Sequence, residues 1–209
     1  MADQERELTG AEQARKEAFE RTRAAYEAQG YRYRSLVISV IAANVGAVAL
    51  ALPLDILLGI GFFLLHPEGG GTFDLLGMLL VLVAFLALIV VHELIHGLVW
   101  GICAKRHWKA VSFGVILKYL TPYCTCDEPL SRRAYIAGAL APTIVLGLVP
   151  VAVAYATGSI LWLGIGLLMI LGGGGDLAIV LKMLRFKPDG ADVLYLDHPY
   201  ECGLVAFVR

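Results

Sequence analysis

Residues Val90 to Val99 read V-V-H-E-L-I-H-G-L-V, and on both sides of them the chain is almost entirely Leu, Val, Ala, Ile, Phe and Gly. Two histidines and a glutamate in such surroundings are costly to bury without partners. What they do therefore depends on what encloses them. The chain of 209 residues is 58% hydrophobic and only 17% charged, and its mean hydropathy is +0.72. Soluble domains carry charge on about a quarter of their residues. The charges here are also segregated, leaving long stretches with almost none.

Spans of about 20 apolar residues read as transmembrane helices. Four are expected: Leu36 to Leu65 with an interruption near Pro53, Asp74 to Cys103, Tyr135 to Ala156, and Ile160 to Leu181. All 17 Lys and Arg residues fall within residues 1–35, in the connection between the second and third spans, or after the fourth. The connections around His66–Thr72 and Thr157–Ser159 have none. By the positive-inside rule both termini then lie in the cytoplasm. The chain divides into a cytoplasmic N-terminal helical segment (1–35), a transmembrane core (36–182, with a cytoplasmic loop 104–134) and a cytoplasmic tail (183–209). The N-terminal segment is too polar for a signal peptide, and its mixed Glu/Arg pattern predicts a solvated or surface-lying helix ending near Gly30. A net charge of −1 without basic–aromatic interleaving gives no reason to expect nucleic acid. Cys103, Cys124, Cys126 and Cys202 are expected on the reducing side, as free thiols.

His92, Glu93 and His96 form H-E-x-x-H. On a helix, positions i and i+4 share a face, so both imidazoles can grip one metal ion. Zinc suits imidazole ligands and brings the pKa of its water to about 7. Glu93, one step round the helix, would act as general base on that zinc-activated water. The alternative is a polar cluster that only ties helices together, but an ionisable group within a membrane span is expensive and points to function. A catalytic zinc wants a third protein ligand and an open position. Asp176 is the one ionisable residue of the fourth span before Lys182, and Gly172–Gly175 precede it. His92 and His96 stand roughly 20 and 14 Å of helix from Lys105, and Asp176 roughly 9 Å from Lys182. Both sets thus lie in the cytoplasmic half of the bilayer, at depths close enough to meet.

The other acids compete less well. Asp55 is expected at the outer end of the first span, as an interfacial or capping residue, and Asp74 as the N-cap of the second. Asp127 and Glu128 belong to the loop. In that loop Ala110–Leu120 and Tyr123–Cys126 have strand composition, and Thr121-Pro122 between them suggests a turn. A hairpin beside the zinc would offer a strand edge to an extended peptide. Cys124 and Cys126 would bind metal, cover the site or simply pack. Pro142 and Pro150 predict a loosened third span; Thr143 could donate to a substrate carbonyl, but a bond back to its own helix is the stronger expectation. The tail predicts a small strand pair, with Asp197 and His198 as turn residues.

These residues support a resemblance. The core resembles intramembrane zinc metalloproteases of the site-2 protease type, with HExxH in one span and an aspartate ligand from a later one. More specifically, H-E-L-I-H-G, P-Y-C-T-C-D-E-P-L-S-R-R and G-G-G-G-D are similar to a bacterial family of membrane proteins described as "putative zincin peptidase", over about residues 75 to 200. No Asn-x-x-Pro precedes the aspartate and Gly, not Leu, stands directly before Asp176. That departure from the site-2 pattern leaves transition-state stabilisation unassigned. The resemblance implies a mainly α membrane protein of about four transmembrane helices, with a short cytoplasmic β-hairpin between helices 2 and 3 and a small β element in the tail. It also implies a zinc peptidase, with His92, His96 and Asp176 as metal ligands and Glu93 as catalytic base; the departure means that substrate class does not carry over, and membrane-protein or peptide substrates are expected from a hydrolytic site set among apolar spans. Its rivals are a non-proteolytic metal-binding membrane protein and a metal-free scaffold.

Overall fold

The computed structural model describes residues 10–68, 75–116, 121–199 and 201–209. It is mainly helical. Helix α1 (Gly10–Ala28) leads into strand β1 (Arg32–Val37), followed by the long apolar helices α2 (Val40–Leu65) and α3 (Leu75–Cys103). Strands β2 (Val111–Ile116), β3 (Thr121–Cys126) and β4 (Leu130–Ser131) separate these from α4 (Arg132–Pro142), which continues through a π-helical turn at Thr143–Leu148 into α5 (Val149–Thr157). Helices α6 (Ile160–Gly172) and α7 (Gly174–Arg185) and strands β5 (Val193–Asp197) and β6 (Gly203–Val208) complete the chain. Among the described residues three helical stretches are long and apolar enough to cross a membrane: α2, α3 and the continuous Arg132–Thr157. A fourth results if α6 and α7, bent by 47° at Gly173, count as one broken span.

The boundaries differ from the expected ones for identifiable reasons. The first span starts at Val40, capped by the Ser39 hydroxyl, because Leu36 and Val37 pair in β1. Pro53 does not interrupt α2; packed helices compensate for the one backbone bond it removes. Asp55 is neither interfacial nor capping but buried in mid-helix. The expected N-cap Asp74 lies outside the described residues. Thr121 and Pro122 belong to β3 rather than to a turn.

The tail strands are not an isolated pair. The order β1-β6-β5-β4 joins both ends of the chain and the segment before α4 in one antiparallel sheet. Central β6 is fully buried from Leu204 to Val208, and alternation sends its side chains to two different cores. Leu204, Ala206 and Val208 meet Trp100, Tyr135 and Met183 at the ends of the spanning helices. Val205 and Phe207 meet Phe19 of α1, which closes the outer face. The α1 helix is therefore anchored by one apolar edge, not wholly solvated. Strands β2 and β3 form a separate two-stranded sheet.

Candidate metal centre

Helix α3 presents His92 and His96 one turn apart, both buried. The ring of His96 stacks on Trp100, a further turn along, with centroids 5.1 Å apart. Its Nδ1 lies 2.8 Å from the carbonyl oxygen of Gly138 on α4. A carbonyl only accepts, so Nδ1 carries a proton and Nε2 is the ring atom left to face the other donors, the orientation a metal-ligating imidazole needs. Gly138 has to be glycine: a Cβ there would stand 2.0 Å from Nε1 of Trp100, whose N–H donates to the carbonyl of Tyr135. The approach of α4 to α3 thus sets the angle of the His96 ring.

Asp176 arrives from the bent helix pair α6–α7. The chain bends at Gly173, and Asp176 falls in the first turn of α7, where the positive end of the helix dipole favours a carboxylate. Gly174 lets α7 press against the backbone of Ala47 on α2, which fixes where that turn sits. The result is a nearly equilateral triangle of donor atoms. His92 Nε2 and His96 Nε2 are 3.1 Å apart, and Asp176 Oδ2 lies 3.1 Å from the first and 3.4 Å from the second. Among the described residues this is the one group of three or more His, Cys, Asp or Glu side chains able to share an ion. Ligands held tetrahedrally about 2.0–2.1 Å from a zinc ion stand about 3.3 Å apart. The donor set fits the ion in type and in spacing.

Glu93 is half-buried beside this triangle, and its carboxylate accepts the backbone N–H of Cys124 on β3. Strand β2 lies across α3 at Gly97, where any Cβ would strike the Phe113 ring. The two-stranded sheet therefore packs on the H-E-x-x-H turn itself and holds the Glu93 side chain. Cys124 and Cys126 are buried in the core beneath. Burial pushes the Cys126 thiol up to about 12 and the Cys124 thiol higher still. Neither thiol joins a group of three or more possible metal ligands among the described residues; the pair packs in this core, and the strand that carries it covers the Glu93 turn.

Sequence reasoning missed Asp197. It is no turn residue; it ends β5 and accepts both the Tyr135 hydroxyl and the Cys126 N–H. It thereby ties sheet, β3 and α4 together directly behind the site. Its signal was the position after V-L-Y-L, where a strand carries its last side chain inward. His198 does sit in the β5–β6 turn, where its Nδ1 accepts the Glu201 N–H.

The family described as "putative zincin peptidase" matches residues 85–191. That range holds the H-E-x-x-H turn, α4 and Asp176, and is just over half the chain. The chain belongs to that family. No curated protein and no solved structure matches it. Family membership carries the metallopeptidase label as far as residues 85–191, and the donor triangle lies wholly inside them.

Proposed function

We propose that the protein is an intramembrane zinc metallopeptidase that hydrolyses peptide bonds of membrane-associated substrates. The observation that carries this reading is the donor triangle of His92, His96 and Asp176, spaced for one tetrahedral ion. These three residues would hold the zinc. When bound, the ion supplies Lewis acidity: it acidifies water and polarises a carbonyl. The protein's own residues do the rest. Glu93 takes a proton from the attacking water and delivers it to the leaving nitrogen, with the Cys124 N–H fixing which way its carboxylate faces. The Gly138 carbonyl keeps His96 in the ligating orientation. A helical substrate shields its carbonyls, so it must unwind, and the break at Gly173 together with the β2–β3 sheet gives an extended segment room to lie.

The sheet topology supports a site opening to the cytoplasm. Segments preceding α2, following α3 and following α7 share one hydrogen-bonded sheet, which a bilayer cannot divide. An even number of crossings between them follows, with α6 and α7 as one span. The positive charges then favour the cytoplasmic side for the sheet and both termini.

The test pairs elemental analysis of the purified protein with hydrolysis of a quenched-fluorescent peptide library carrying one apolar span. One zinc per chain is expected. Glu93→Gln should keep the zinc and lose roughly 10²–10⁴ in turnover. A Glu93→Gln protein as active as wild type would refute the peptidase, and a metal-free wild type would remove the ion.

A further inference from the structure

Thr143 begins the π-helical turn between α4 and α5. It is 5% exposed, and its hydroxyl oxygen has no hydrogen-bond partner among the described residues. The expected bond back to its own helix is not made. A buried hydroxyl without a partner is destabilising, and a valine of the same shape would avoid that penalty. Two further features keep the group where it is. The π turn is a form of helix concentrated at functional positions, and it starts at this residue, five residues after Gly138, the partner of His96. Across from it, Gly173 has no side chain, and a Cβ there would come within 2.2 Å of the Thr143 oxygen. The space at the α6–α7 break is thus kept open for a hydroxyl. Gly173 in turn accepts the N–H of Asp176 through its carbonyl, at 3.1 Å, so the hydroxyl lies one short backbone step from the turn that carries the third metal-site residue. Gly175, beside Asp176, has nothing within 4 Å of where its Cβ would be, which leaves room for an extended backbone at this point.

We infer that Thr143 is a catalytic residue whose hydroxyl donates to the carbonyl oxygen of the scissile peptide. This deepens the peptidase reading and rests on it. The partner missing in the free protein is the substrate, and the bond strengthens as negative charge builds on that oxygen. The acceptor is a main-chain carbonyl, so the contact sets no side-chain preference.

The experiment compares wild type, Thr143→Val, Thr143→Ser and Glu93→Gln, all as zinc-loaded full-length protein in detergent, on the same peptide library. Thr143→Val should lower kcat roughly 100-fold with KM within about twofold, zinc content unchanged and a thermal midpoint equal to or above wild type. Thr143→Ser should recover most of the rate. A Thr143→Val protein as fast as wild type would overturn the assignment while leaving the peptidase intact. So would a parallel fall in rate, zinc and midpoint that Ser does not repair, since that marks a packing residue. Absence of zinc-dependent hydrolysis in wild type itself would overturn the peptidase reading and this assignment with it.

Discussion

The candidate metal centre and the sheet behind it are built on opposite plans. The centre consists of a few polar atoms brought together by helices that meet through glycines, with the ring of His96 held by one carbonyl and Asp176 set by one bend. The sheet is packed throughout, and its central strand is inaccessible from Leu204 to Val208. A site of the first kind depends on positions to within a fraction of an ångström, whereas a core of the second kind depends on volume. Substitutions should therefore separate them: one class loses ion and rate in a folded protein, the other loses the fold while each remaining folded molecule keeps its ion.

The sharpest separation comes from Asp176→Ala. Removing one corner of the triangle should weaken zinc binding by more than the roughly 10–100-fold that loss of an outer-shell partner costs, and activity should fall with it. The metal-free thermal midpoint should fall, but by less than Phe207→Ala lowers it, because two buried imidazoles lose the carboxylate that partners them while the packed core is untouched. Zinc retained at full affinity would take Asp176 out of the ligand set. The reverse pattern belongs to Phe207→Ala. This ring is fully buried and stacks on Tyr26 with centroids 5.1 Å apart, so truncation should destabilise the protein by about 3–5 kcal/mol. Zinc per folded molecule should stay at wild-type level. If zinc affinity fell as steeply as stability, sheet and site would be one unit and the contrast would fail.

That contrast also explains what could be read from the chain. His92, Glu93, His96 and Asp176 stand out because they contradict their surroundings, and the i, i+4 relation that joins the histidines is local. The spans were legible as well, since length and hydropathy report a membrane whatever the tertiary contacts. Strand β1 was not. Its partner for Leu36 is Leu204, at the far end of the chain, and Leu36-Val37 read as the start of an apolar helix because no local pattern distinguishes the two. The bend between α6 and α7 falls on the run Gly172–Gly175 that precedes Asp176, but which of these glycines mattered depended on Ala47 and Thr143 coming against Gly174 and Gly173. Asp55 was misplaced for the same reason: burial of a single acid in mid-helix is decided by neighbours that hydropathy does not reveal.

Gly138→Ala probes the join between the two plans. The added methyl would sit 2.0 Å from Trp100 Nε1, so α4 must move off α3 and stretch the 2.8 Å contact that orients His96. Zinc affinity should drop roughly 10–100-fold, with a smaller loss of stability than Phe207→Ala gives. Unchanged affinity would mean that stacking on Trp100 alone fixes the ring. Isothermal titration of the metal-stripped variant with zinc measures this directly.

The smallest effect is expected at Asp197, and it has a sign that can be checked. Burial pushes this carboxyl from an ordinary 3.8 up to about 6, against the Tyr135 hydroxyl and Cys126 N–H that pull it down. The folded protein then holds a proton that the unfolded chain releases between pH 4 and 6. The protonated carboxyl's contribution to stability is complete below pH 4 and lost as pH rises through 6. Asparagine stays neutral throughout and still offers an oxygen to the Cys126 N–H and an N–H to the Tyr135 oxygen. Asp197→Asn should therefore flatten this part of the stability profile, matching wild type at pH 4 and exceeding it slightly at pH 7. Thermal unfolding of the two proteins at both values decides the matter. An Asn variant weaker than wild type at pH 7 would mean that the ionised carboxylate is what joins β5, β3 and α4, and that the region behind the metal centre is held by a buried charge, as the centre itself is.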